Sequence, residues 1–286
     1  MLNFEIDQYN LDTIINDAPE IRRFMPFNER AIEALSGPYL WFSHIEEFND
    51  PFEAQFEYRF TRDANRIINA EEYSGLSGWP FEIAKQKLWD EFEADPEVFY
   101  QTRELKFRET YEQAASKAKF AYCCFFSERQ GPLSQQQASL MWSHYGNGLR
   151  GMRITYNTSK LIDSLAKRVR ATFIEYSETP RAIDLVSQFE HITGPKGPRW
   201  SAELFLESPS TKSKTWEYES EFRLVSETPG ANFFDPKAIT RIDLGIRMPD
   251  SQKKVVSMLV KQLNPSAAIH IAKVQPRSFD IHYVPL

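Results

Sequence analysis

The chain has 286 residues, 42% hydrophobic and 14% aromatic, with 34 basic against 40 acidic side chains and a net charge of −6. That composition excludes a disordered chain and argues against a general nucleic-acid binder, which needs a basic excess to neutralise phosphates. The longest apolar runs, such as AYCCFF at 121–126, fall far short of the ~20 residues of a membrane helix, and the opening MLNFEIDQYN has neither the basic nor the apolar region of a signal peptide, so a soluble, cytoplasmic protein with no membrane partner is expected.

Residues 21–25 predict a short apolar-basic strand. Asn28 then caps a helix with Ile32 and Leu35 facing inward and Gly37 at its end. Residues 39–42 (YLWF) read as a buried strand. The segment after it breaks at Asn49-Asp50-Pro51, because proline biases the preceding residue away from helix. Residues 53–60 alternate weakly. From about 63 to 119 the pattern is helical, with Asp95 as a cap and Phe99, Leu105 and Tyr111 recurring at helical intervals. Strands over 120–126 and 149–156 flank a helix at 134–145, and 169–176 is a further strand. Residues 180–207 predict two helices broken by GPKGP. Strands are expected at 219–225, 239–244, 268–274 and 279–284, with an amphipathic helix over 250–263. Strands at both ends without regular strand-helix alternation imply an α+β fold: a mixed, mostly antiparallel sheet in a single domain, 1–286, with a helical insertion at about 63–119.

Several catalytic signatures are absent: there is no phosphate-binding loop, no dinucleotide fingerprint, no H-E-x-x-H and no nucleophile elbow. The five histidines never fall at metal spacing, so no metal site is expected. The two cysteines, Cys123 and Cys124, are adjacent; on a strand they point to opposite faces, cannot pair, and read as structural thiols in a reducing compartment.

Four segments combine polar and aromatic residues. Phe48-Asn49-Asp50-Pro51-Phe52-Glu53 is a rigid polar corner between two rings, a turn whose Asn49, Asp50 or Glu53 can also wall a pocket. Cys123 to Glu128 (CCFFSE) is a buried strand ending in a polar pair. Met141-Trp142-Ser143-His144-Tyr145-Gly146 ends a helix before a glycine-rich return. Trp216 to Leu224 (WEYESEFRL) reads as a strand with Trp216, Tyr218, Phe222 and Leu224 on one face. Its other face carries Glu217, Glu219, Glu221 and Arg223, with Glu219 and Glu221 about 6–7 Å apart. That face is either a solvated row of cross-strand ion pairs or a carboxylate pair that positions a sugar hydroxyl.

Together, FNDPFE, CCFFSE, MWSHYGNGLRGMRITY and WEYESEFRL resemble the bacterial domain-of-unknown-function family 2971, from Ile21 to about Val225. At the opening strand, where that family has an aromatic-Lys-aromatic run, this chain has Arg22-Arg23-Phe24. The layout of the family is similar to the ADP-ribosyltransferase superfamily, and by that analogy of strand order the resemblance implies NAD as substrate. It places Arg23 on the NAD pyrophosphate, Ser43 on the next strand, and Glu221 or Glu219 as the carboxylate that governs transfer. Tyr39, Trp41 or Tyr145 would stack on nicotinamide, and Asn49, Asp50 and His144 would complete the ligand site.

The implied activity is ADP-ribosyl transfer to a nucleic acid or protein in a bacterial toxin or phage-defence system, with an antitoxin or defence protein as partner. The alternative is a non-catalytic module that binds a nucleotide-like ligand in the same kind of system. A metal-dependent nuclease using Asp50, Glu53, Glu219 and Glu221 is a third option, and it requires those carboxylates to converge.

Overall fold

The computed structural model describes residues 8–74, 77–116, 120–129, 131–194, 197–198 and 210–286. In chain order the elements are α1 (Gln8–Asp17), β1 (Glu20–Met25), α2 (Glu29–Ser36), β2 (Tyr39–His44), β3 (Phe56–Arg59), α3 (Ala64–Ser74), α4 (Phe81–Ala94), α5 (Pro96–Ala115), β4 (Ala121–Ser127), α6 (Gln135–His144), β5 (Met152–Asn157), α7 (Thr158–Ser164), β6 (Arg170–Phe173), β7 (Glu175–Ser177), β8 (Arg181–Asp184) and α8 (Leu185–Ile192). They continue through the short β9 (Thr193–Gly194), β10 (Gly197–Pro198) and β11 (Thr211–Ser213) to β12 (Glu221–Ser226), β13 (Gly230–Phe233), β14 (Ile239–Gly245), α9 (Asp250–Leu263), β15 (Ala268–Val274) and β16 (Ile281–Pro285). The fold is α+β with a mixed, mostly antiparallel sheet. Among the described residues no helix is long and apolar enough to cross a membrane.

The chain divides into two compact units, one drawn from Phe52–Lys119 and Ser177–Lys212, the other from Ile6–Pro51, Phe120–Tyr176 and Ser213–Leu286. The first contains the expected helical insertion and, in addition, β8 and α8. Asp95 begins α5 as anticipated, accepting from the backbone N–H groups of Glu97 and Val98 at 3.0 and 3.1 Å. The buried stripe of α5 is Phe99, Arg103, Phe107 and Tyr111, whereas Leu105 is exposed, because the true stripe steps by four from Phe99. Arg103 is tolerated there because it donates to the fully buried Glu71 at 3.0 Å. Of the two helices expected over 180–207, the first stands as α8 after strand β8; the second, beyond GPKGP, falls on residues 199–209, which lie outside the described residues.

The second unit is a ten-stranded sheet in the order β13-β2-β4-β1-β5-β14-β15-β16, with β12 on the other edge of β4 and β6 beyond it. Its strands are antiparallel except β14 with β15. One face carries the main core, in which Phe42, Phe125, Ile154, Phe222 and Leu244 pack as one cluster with Leu35 of α2 and Val256 of α9. Within α2 the inward residues are Ala31 and Leu35, spaced four apart, and Ile32 is exposed. On the opposite face α6 lays down Trp142, whose ring meets Phe24 edge-on at 5.4 Å and whose indole N–H donates to the Tyr283 hydroxyl at 3.2 Å.

The glycine-rich return after α6 has a steric cause. Asn147, Gly148 and Leu149 take φ of 49°, 58° and 65° in succession, a left-handed turn that reverses the chain into β5. Gly245, where β14 ends, lies so close to this turn that a Cβ would sit 2.1 Å from the Leu149 carbonyl oxygen. Helices α1 and α7 and strand β13 have no counterpart in the sequence expectations, and the strand expected over 169–176 is two strands, β6 and β7.

Charge is buried on the α6 face. Asp243 on β14 is 0% exposed and takes Arg153 at 2.7 Å and Arg241 at 2.6 Å. Breaking a buried pair leaves an uncompensated charge, which costs about 3–5 kcal/mol. Asp243→Ala is therefore expected to lose that amount in a urea-unfolding titration, because the Arg153 side chain, 5% exposed, is left without its carboxylate.

Candidate functional site

Residues directly opposite in an antiparallel pair project from the same face, so register assigns each candidate to a face. Strand β12 pairs with β4 through Glu221–Phe126, Phe222–Phe125, Arg223–Cys124, Leu224–Cys123 and Val225–Tyr122. Phe222, Leu224, Cys123 and Phe125 belong to the main core, which leaves Glu221, Arg223, Cys124, Tyr122 and Phe126 on the α6 face. Ser43 is opposite Tyr122 and shares that face. Arg23 is opposite Ile154, a core residue, and therefore emerges on the other face; its neighbour Arg22, opposite Thr155, is the arginine on the α6 side. The register thus puts Ser43 and Glu221 on one face, opposite β4 residues four positions apart, and Arg23 on the other.

The segment Trp216 to Leu224 is not one strand. Residues Lys214–Glu219 form a 3₁₀ turn opened by the Ser213 side chain, and Ser220 adopts φ 41° before β12 begins at Glu221. The Ser220 carbonyl accepts from both the backbone N–H (2.9 Å) and the hydroxyl (3.1 Å) of Ser127, which ties the left-handed residue to the end of β4. The local competition was decided by this capping and by the tie to Ser127, which alternation alone does not register. In consequence Glu217 is exposed, and Glu219 approaches from a turn rather than standing in line with Glu221.

Glu219, 5% exposed, accepts a short hydrogen bond from the Tyr145 hydroxyl. Asn49 also hydrogen-bonds that hydroxyl, which links the polar corner after β2 to the end of α6. Beside them the His144 ring nitrogen Nδ1 lies 2.9 Å from the Tyr218 hydroxyl. Glu221 receives the Arg223 Nε–H at 2.6 Å, with side-chain exposures of 5% and 0%. The Arg223 guanidinium stands 5.3 Å from the Phe48 ring centre and 5.8 Å from that of Tyr122. The backbone N–H of Glu221 donates to the Tyr176 oxygen at 2.8 Å.

Asp50 is buried, and Glu53 belongs to the first unit, where its carboxylate is 3.9 Å from Lys212. Tyr39 and Trp41 lie where β2 pairs with β13. Tyr39 donates to Glu33 at 3.2 Å and meets Phe233 edge-on at 5.9 Å, and Trp41 is exposed. Tyr176, Tyr122, Phe48, Cys124 and Arg223 complete the cluster. Of these only Tyr176 and Tyr122 lay outside the four segments that the sequence singled out. Among the described residues no group of three His, Cys, Asp or Glu side chains could hold a metal ion, so the convergence required by the nuclease alternative is not found there.

Burial pushes up the Tyr145 and Tyr176 hydroxyls, Tyr145 further through Glu219 and Tyr176 through Glu221. The Cys124 thiol is held well above its usual range, first by burial and then by Glu221, against the opposing pull of Arg223. Both cysteines are free, and a thiol so raised is a poor nucleophile.

Two outcomes are expected. The fold holds Tyr145 and Tyr176 neutral where an unfolded chain ionises them near pH 10, so the stability they contribute is full below about pH 10 and is lost as pH rises beyond it. In a spectrophotometric titration their phenolate absorbance should appear only together with unfolding. Arg223→Met leaves Glu221 buried without its guanidinium and should cost about 3–5 kcal/mol, most of it restored in the Glu221→Gln/Arg223→Met double variant; equal stability of the two variants would contradict the pairing.

No curated protein and no solved structure matches the chain. Residues 141–224, from the end of α6 to the middle of β12, match the family described as Protein of unknown function (DUF2971). The matched stretch contains His144, Tyr145, Tyr176, Glu219, Glu221 and Arg223, and it supports the family resemblance that the motifs carry.

Proposed function

We propose that the chain is a binding module for a ring-bearing, hydroxylated ligand of the nucleoside type, held on the α6 face beside Tyr145, Glu219 and Glu221, and that it transfers no part of that ligand. The observation that supports this is the engagement of both carboxylates. Glu221 is neutralised by Arg223 at 2.6 Å, and Glu219 is bound by Tyr145; neither is free. A carboxylate already paired with a guanidinium has less to offer a cationic transition state, because stabilisation there depends on charge directed at the reacting atom. The same groups suit recognition: the rings of His144 and Tyr218, 5.7 Å apart, give a surface for stacking, and Asn49 is an exposed amide.

NAD-dependent ADP-ribosyl transfer to a nucleic acid or protein is the second reading. The common face of Ser43 and Glu221 favours it, and the position of Arg23 on the other face counts against it. In either case the proposed setting is a bacterial toxin or defence system with a partner protein, which is the setting the sequence resemblance implies.

Calorimetry with NAD, ADP-ribose and adenosine, run beside an assay for released nicotinamide, separates the two. Binding of at least one of these without nicotinamide release is expected. Glu219→Gln should weaken it about tenfold or more, since a hydrogen bond to a charged group is worth about 1.5–3 kcal/mol. Nicotinamide release that disappears in Glu221→Gln would establish the transferase instead, and failure to bind all three would remove both readings.

A further inference from the structure

On the core face of the second unit Arg23 has no counter-charge among the described residues. Arg22, Arg153, Arg223 and Arg241 of the same unit each grip a carboxylate at 2.9 Å or less. Arg23, half-buried, does not: among the described residues it makes no ion pair and none accepts a hydrogen bond from its guanidinium. Its electrostatic neighbours are the thiols of Cys123 and Cys124 and the hydroxyls of Tyr156 and Tyr39. Tyr156, opposite Ile21 on β5, shares the core face with Arg23. Tyr156 is 3% exposed, its ring meets Phe125 and Phe234 edge-on at 5.8 Å, and its hydroxyl has no hydrogen-bond partner among the described residues.

Backbone pairing opens the sheet at this point. Strand β1 registers with β4 only at Ile21–Ser127 and Arg22–Phe126, and β2 only at Ser43–Tyr122 and His44–Ala121. Between them, residues 123–125 of β4 register with neither strand on that edge, and Arg23 stands where β1 departs. Neither the Arg23 guanidinium nitrogens nor the Tyr156 hydroxyl is among the fully buried polar atoms that lack a partner, so both unpaired donors reach solvent at this opening. Two such groups side by side, both donors, define a place for an acceptor.

We propose that Arg23 and Tyr156 form an oxyanion site at the split between β1 and β2, taking a phosphate group: the guanidinium fork binds two oxygens and the Tyr156 hydroxyl donates to a third. This site is on the opposite face from Glu219 and Glu221 and does not rest on the function proposed above.

Thermal unfolding of the full chain in rising inorganic phosphate, against chloride at constant ionic strength, tests it. Ligand that binds only the folded state raises the midpoint, so phosphate should raise it in the parent and not in Arg23→Met. Tyr156→Phe should bind phosphate about tenfold more weakly, the loss of one hydrogen bond to a charged group. Without phosphate, Arg23→Met should melt no lower than the parent, because it removes a charge that has no partner. Calorimetry then identifies the source: ADP binding more tightly than phosphate marks a nucleotide phosphate, and no gain over phosphate marks the free ion. The site is overturned by an unmoved parent, by equal shifts in parent and Arg23→Met, or by Arg23→Met melting low as a broken ion pair would.

Discussion

The pairing of β4 with β12 is the constraint on which the rest of the second unit depends. Six registered pairs, from Glu221–Phe126 to Ser226–Ala121, commit alternate residues of both strands to opposite faces. One set, with Phe125, Phe222 and Leu224, closes the main core; the other, with Cys124, Glu221 and Arg223, builds a polar layer under α6. A slip of one residue would exchange the two sets, placing an ion pair in the aliphatic core and phenylalanines among charges. The tie of the Ser220 carbonyl to Ser127 holds the register at the point where the chain enters β12.

The two faces handle charge differently. On the α6 side the guanidinium groups of Arg223, Arg153 and Arg241 each meet a carboxylate: Arg223 meets Glu221, and Arg153 and Arg241 share Asp243. Such pairs contribute little net stability but make their geometry obligatory, since loss of either partner strands the other. The Arg153–Asp243 pair therefore fixes β5 against β14, while burial together with the Glu219 and Glu221 charges holds Tyr145 and Tyr176 as neutral hydroxyls. On the core side the electrostatic neighbours of Arg23 are thiols and phenols, and it meets no carboxylate among the described residues. This asymmetry distinguishes a self-satisfied polar layer from a group that awaits an acceptor.

Periodicity and capping made much of the fold legible. The helices α2, α5, α6 and α9 and the strands β1, β2, β4, β14 and β15 stand close to where spacing, cap residues and β-branched or aromatic runs place them, because these signals act over one or two turns of chain. The identity of the polar segments was legible too: Asn49, His144, Tyr145, Glu219, Glu221 and Arg223 do meet in one neighbourhood. Periodicity misleads where a short segment has two acceptable local conformations. Trp216 to Leu224 alternates as a strand should, yet its first half is a 3₁₀ turn because Ser213 caps it and Ser127 holds Ser220 left-handed.

The sequence by itself determined the class of fold and the pairing-incompetent cysteines, since composition, local geometry and adjacency suffice for these. Tertiary structure alone decided which residues share a face, because that follows from the register between strands far apart in the chain. It set Ser43 beside the α6 layer and Arg23 on the core side, and it supplied Tyr176, from a strand that no motif marked, to the Glu221 backbone. It also decided which charges are answered: a carboxylate two residues away in sequence neutralises Arg223, whereas Arg23, one position from the well-paired Arg22, points the other way and meets none among the described residues.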